Sequence, residues 1–82
     1  MSAAALPSAA DVRTLLRTIL RTPGEPAVEL RRADIVAWDS LKHMEIVFAL
    51  EDQYGVRFEE SEFAALDTSS AITAALRRHL AA

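Results

Sequence analysis

The stretch Trp38-Asp39-Ser40-Leu41-Lys42-His43-Met44-Glu45-Ile46-Val47-Phe48-Ala49-Leu50-Glu51-Asp52-Gln53-Tyr54-Gly55 decides the fold. Asp39 and Ser40 are helix-capping residues placed directly before an apolar run. Gly55 suits the position just past a helix end, where a left-handed backbone is wanted. A helix from Asp39 or Ser40 to Tyr54 is therefore expected. At about 100° per residue its side chains divide into two groups. His43, Ile46, Val47, Leu50 and Tyr54 share one side. Leu41, Met44 and Phe48 lie near the opposite side, with Glu45, Glu51 and Asp52. One side must face a core, which leaves an apolar stripe edged with acids on the other. Such a patch commonly marks a protein contact surface, and Met and Phe are enriched at interface centres; the alternative is that another helix covers Phe48 or Met44.

Upstream, Ser8 and Asp11 have capping-box spacing, and Val12, Leu15, Leu16, Ile19 and Leu20 form one apolar stripe. A first helix to about Arg21 follows. Arg13, Arg17 and Arg21 recur every fourth residue on another face and read as a solvated row. Thr22-Pro23-Gly24-Glu25-Pro26 stops this helix, and a long loop runs on to Trp38. Leu30, Ile35, Val36 and Trp38 are its candidate anchors. Downstream, Val56-Arg57-Phe58 is a short connection, a short helix is expected over Glu60–Leu66, and Thr68 or Ser69 caps a last helix to about Leu80. In that last helix Ile72, Ala75, Leu76 and His79 or Leu80 should face inward. The expected fold class is all-α: a four-helix bundle of three main helices and a short third one. The domain spans residues 9–80 behind a flexible leader at 1–8.

With 82 residues, one domain is the only sensible count. The chain has no cysteine, so disulfides, thiolate metal sites and a cysteine nucleophile are excluded. Two histidines, His43 and His79, stand too far apart in sequence to suggest a metal site, and none is expected. No apolar run reaches the length of a membrane span, and the start has no basic segment. A cytoplasmic protein with no membrane role is the expectation, and Met1 with its short tails points to a discrete protein. The net charge of -3 is unevenly spread. Residues 39–62 carry seven acids against two bases, a net of −5. The remainder carries seven arginines against five acids, a net of +2. An acidic middle favours basic protein partners and argues against nucleic acid, including a helix-turn-helix reading of the arginine row.

Asp39-Ser40-Leu41 alone is an ordinary cap. Trp38 through Phe58 as a whole resembles the signature of acyl carrier proteins: Asp-Ser-Leu opening the second helix, an acid at Glu45, the apolar run Ile46 to Leu50, the pair Glu51-Asp52 and the aromatic Tyr54. The resemblance runs from about Ala9 to Leu80 and takes in the long first loop and short third helix. It implies that Ser40 is the attachment serine for covalent 4′-phosphopantetheine. A separate phosphopantetheinyl transferase would transfer this group from coenzyme A with magnesium, Asp39 would help present Ser40, and Leu41 would adjoin the arm. It also implies no catalytic residue in this chain, a monomer, and partner enzymes that load or transfer acyl groups: a ligase, an acyltransferase or a ketosynthase. Leu41, Met44, Glu45, Phe48, Glu51 and Asp52 are the candidate partner-binding residues.

Elementary chemistry agrees with that implication. A phosphodiester on Ser40 would sit at a helix N-terminus, where free N–H groups and the helix dipole favour an anion. No His, Lys or second carboxylate is placed by sequence to activate Ser40, so a hydrolase is disfavoured. The thiol that carries cargo belongs to the added arm. Val47, Leu50, Phe63 and Leu66 are candidate lining residues for partial shelter of an acyl chain, with small Ala64 and Ala65 nearby.

The stretch departs from the common family pattern in two respects. Ala37-Trp38 stands where many members have a glycine two residues before the Asp, and Lys42 and His43 make the helix start less acidic. These features point to a specialised pathway, such as polyketide or mixed peptide–polyketide assembly, rather than housekeeping fatty-acid synthesis. An aminoacyl or peptidyl carrier shares the modified serine and is the nearest alternative. A helical interaction domain without a prosthetic group, with Ser40 only a cap, is the other.

Overall fold

Three helices start where a side chain caps the backbone. In the computed structural model, which describes residues 6–25 and 27–81, Ser8 and Asp11 close a reciprocal capping box at 3.0 and 3.1 Å and open α1, Ala9–Leu20. The Asp39 carboxylate accepts the Lys42 N–H at 2.9 Å and opens α2, Ser40–Tyr54. The Thr68 hydroxyl accepts the Ala71 N–H at 3.0 Å and opens α3, Ser69–Ala81. Each bond satisfies a first-turn N–H that has no partner inside its helix. Gly55 ends α2 at φ 67°, a left-handed conformation that glycine adopts without steric cost. Arg21 ends α1 in the same region at φ 53°.

The bundle matches the expected all-α class, with α1 packed on both α2 and α3. Its core joins Val12, Leu16 and Leu20 of α1 to Ile46, Val47 and Leu50 of α2 and Ile72, Ala75 and Leu76 of α3. Leu30, Trp38, Phe58 and Leu66 seal it from the connections. The last helix turns His79 inward, edge-on to the Phe58 ring, and leaves Leu80 exposed.

The connections hold more than the helical pattern foretells. The segment between α1 and α2 contains a one-turn 3-10 helix, Arg32–Asp34. The short helix before α3 is a 3-10 helix over Glu60–Ala65 rather than an α-helix. Of the expected loop anchors, Leu30 and Trp38 are buried and Ile35 packs against the core, but Val36 is 99% exposed. Val36 follows the 3-10 turn, and the buried place two residues later goes to the larger Trp38 ring.

Of the leader, residues 1–5 lie outside the described residues. Pro7 is buried, and its carbonyl accepts a hydrogen bond from Arg77 Nε at 3.1 Å. No helix among the described residues is long and apolar enough to cross a membrane.

Candidate functional site at the start of the second helix

Ser40 is the first residue of α2 and is exposed. Its position is fixed by what holds the preceding loop, which is clamped at two ends.

The first clamp ties residues 29–32 to the start of α3. Leu30 N–H donates to Ser69 Oγ at 3.0 Å, and Ser69 N–H donates to the Leu30 carbonyl at 2.8 Å. Arg32 N–H reaches the Asp67 carbonyl at 2.8 Å, around an isolated antiparallel bridge between Arg31 and Thr68. The Glu29 carboxylate accepts from the Ser69 hydroxyl and from Ser70 N–H. Burial pushes the Glu29 carboxyl up, but the hydrogen bonds from Ser69 and Ser70, aided by Arg31, outweigh it and hold it below the ordinary glutamate value.

The second clamp is Trp38. Its ring is 2% exposed and its indole N–H donates to His43 Nδ1 at 2.9 Å. An indole N–H can only donate, so Nδ1 accepts and the imidazole proton sits on Nε2. Nε2 then donates to the Phe63 carbonyl at 2.7 Å. His43 is itself 5% exposed, so this buried relay joins loop, α2 and the 3-10 helix before α3. His43 is a structural bridge, as expected of a residue on the core side.

Around Ser40 the first-turn N–H groups of Ser40 and Leu41 have no intrahelical acceptor, since Asp39 takes Lys42 and its carbonyl takes His43. Arg32 reaches in from the loop: Nε donates to the Trp38 carbonyl at 3.2 Å, and Nη2 stands 3.5 Å from Ser40 Oγ. Sequence reading missed Arg32, because nothing local links it to a serine eight positions on. The exposed serine, the open N–H groups and the adjacent guanidinium together fit a phosphodiester at this atom. Among the described residues no cluster of three or more His, Cys, Asp or Glu could hold a metal ion.

The candidate partner-binding residues divide. Leu41 is 78% exposed and Phe48 59%, while Met44 is half-buried between them. Asp52 is exposed. Glu45 is exposed but pairs with Lys42 at 3.2 Å. Glu51 is half-buried and its carboxylate accepts the Phe58 N–H at 2.9 Å, tying the end of α2 to the next connection. Val47, Leu50 and Leu66 are closed core and Phe63 is half-buried, so a cargo entering there must part packed side chains. An open cavity of about 500 Å³ lies elsewhere, lined by Asp11, Thr14, Leu15, Thr18, Gln53 and Tyr54. At 1.5 Å per residue it sits roughly 20 Å along α2 from Ser40.

Residues 10–76 match the family described as phosphopantetheine attachment site. The chain belongs to the acyl carrier protein family, whose members bear 4′-phosphopantetheine covalently. "Acyl carrier protein 3" of Ralstonia nicotianae (strain ATCC BAA-1114 / GMI1000) is 42% identical over 60 residues, which cover 71% of this chain and 68% of that protein. No solved structure gives a significant match. The family is one of carriers, so the buried histidine, the capped helix and the exposed serine are parts of a carrier scaffold.

Proposed function

We propose that this carrier holds acyl intermediates as thioesters on a 4′-phosphopantetheine arm attached to Ser40, and presents them to partner enzymes without catalysis of its own. The observation that carries the assignment of Ser40 is its place: an exposed hydroxyl on the first residue of a long helix, within the matched span. Asp39 caps the helix and Leu41 flanks the serine. The arm supplies the thiol that the chain lacks.

The protein works as a monomer in the cytoplasm and meets a phosphopantetheinyl transferase first, then a loading ligase, acyltransferase or ketosynthase. These partners dock on the outer face of α2, where Leu41, Met44 and Phe48 supply apolar contact and Glu45 and Asp52 supply charge. Glu51, half-buried and bonded to the Phe58 N–H, adds its charge from the edge of this face. Trp38, Lys42 and His43 support a specialised pathway of polyketide or mixed peptide–polyketide type.

Incubation with coenzyme A, magnesium and a broad-specificity phosphopantetheinyl transferase should add one phosphopantetheinyl mass. Ser40→Ala should abolish the addition with helical content unchanged. Modification of another residue, or none on the unaltered protein, would overturn the assignment. Challenging the modified protein with acyltransferase and adenylating ligase panels then separates an acyl from an aminoacyl cargo.

A further inference from the structure

Two cations lie near Ser40, and they are disposed differently. Lys42 turns away to Glu45, at 3.2 Å. Arg32 turns toward the serine and is half-buried. Among the described residues no carboxylate lies within ion-pair distance of its guanidinium, although Asp34 and Asp39 are close in sequence. A half-buried cation without a counter-charge is costly to keep, and arginine matches phosphate through its planar fork of donors.

The fork is also held. The Arg32 backbone is fixed by the bond to Asp67, and Nε is fixed by the Trp38 carbonyl. That arrangement leaves Nη2 3.5 Å from Ser40 Oγ. This distance is long for a hydrogen bond to the hydroxyl itself. It leaves room for an acceptor two bonds further out: in a phosphodiester on Ser40 the phosphorus is bonded to that same Oγ and carries the non-bridging oxygens.

We propose that Arg32 is the counter-cation of the Ser40 phosphodiester and donates charge-assisted hydrogen bonds to its non-bridging oxygens. This rests on the assignment of Ser40 as the attachment point. Arg32 sets the direction in which the arm leaves the helix, drawing its first link toward the loop side of α2. It is a binding and positioning residue, not a catalytic one. In the unmodified protein Arg32 only donates toward Ser40 Oγ. The hydroxyl proton therefore stays available to the base that the transferase brings.

The test uses the full chain before and after modification, with intact mass confirming the modified form in every sample. Side-chain N–H spectra should show the Arg32 Nε–H signal moving on modification. The ³¹P resonance of the modified protein should shift in Arg32→Gln, and only partly in Arg32→Lys. It should stay in place in Arg57→Gln, a distant surface control. Raising salt should move the wild-type resonance little, because a half-buried pair is poorly screened. An Arg32 signal unmoved by modification, with identical ³¹P positions in wild type and Arg32→Gln, overturns this proposal alone. Failure of the transferase to modify wild-type Ser40 overturns the attachment assignment, and this proposal with it. The wild-type Arg32 signal decides the question even if a variant folds poorly.

Discussion

Replacing His43 with Leu should be among the most damaging single changes outside the aliphatic core. The side chain is nearly the same size, so little cavity forms, and the cost isolates the hydrogen bonds. Two partners lose their bond. The Trp38 N–H is buried and has no other acceptor, while the Phe63 carbonyl is partly buried and can recruit water. An orphaned buried group costs ~1–3 kcal/mol, with the lower end applying to the carbonyl, so the sum is about 2–4 kcal/mol. A chain of this length has a total stability of about 4–12 kcal/mol at 0.05–0.15 kcal/mol per residue. At the middle of both ranges, about 3 of 8 kcal/mol, the variant should fold with over a third of its stability gone. Urea unfolding followed by circular dichroism and by Trp38 fluorescence measures it, and Trp38 is the chain's one tryptophan. With a urea slope of about 1 kcal/mol/M, the midpoint should fall by roughly 2–4 M. A cycle with Trp38→Phe tests the cause, because once either partner is lost the other change should cost less than it does alone. Strict additivity, or a loss below about 1 kcal/mol, would refute a relay that matters energetically.

Two further outcomes follow from the loop clamp and the outer face of α2. Glu29 and Glu62 both have carboxyls held below the ordinary value of 4.5, Glu62 chiefly by its hydrogen bond with His79. A depressed folded-state value contributes stability that is complete above the unfolded-state value and lost as pH falls through the lower, folded one. Urea midpoints should therefore hold steady down to about pH 5 and drop below it, and Glu29→Gln should lower the neutral-pH midpoint while making the acid drop shallower; an unchanged acid slope would count against the clamp. On the modified protein, Asp52→Lys should slow association with the loading enzyme and weaken its salt dependence, while Phe48→Ala should speed dissociation about tenfold, on the order of 1.4 kcal/mol. If neither changes binding and Arg13 or Arg17 substitutions do, the docking face lies on α1.

The second helix was legible because its signals are local. Asp39, the apolar run and Gly55 each act on residues within four positions, so the boundaries of α2 and its two-faced character follow from spacing alone. The exposure of Leu41 and Phe48 follows from the same angles. What stayed hidden depends on distant pairings. Ser69 meets Leu30 and Glu29 across about forty positions, and no local pattern foretells that a serine will serve as both cap region and loop clamp. Val36 reads as an anchor by hydropathy, yet it is 99% exposed, standing between Ile35, which packs against the core, and the buried Trp38. Glu51 sits on the acidic face by angle, but its carboxylate is long enough to reach back to the Phe58 backbone. Arg32 was invisible for a further reason: its proposed role depends on where a 3-10 turn aims it, and that turn starts at the residue whose N–H is bonded to the Asp67 carbonyl.

A carrier must solve a geometric problem. Its reactive group is tethered and mobile, yet many enzymes must find the tether point. In this chain the proposed tether point, Ser40, and the proposed docking residues Leu41 and Phe48 lie on one helix. Phe48 lies eight residues beyond Ser40 on α2, about 12 Å along the axis and about 80° around it. Leu41 stands beside the serine on the same helix. An enzyme that grips Phe48 and Leu41 therefore meets Ser40 at a fixed offset, with no search over loop conformations. That offset is only as reliable as the seating of α2, which depends on the core face through Ile46, Val47 and Leu50 and on the relay from Trp38 through His43 to Phe63. The relay acts three residues from Ser40 on one side and two on the other. Loosening it should therefore impair recognition by every partner together, whereas a change on the outer face should be felt by some partners more than others.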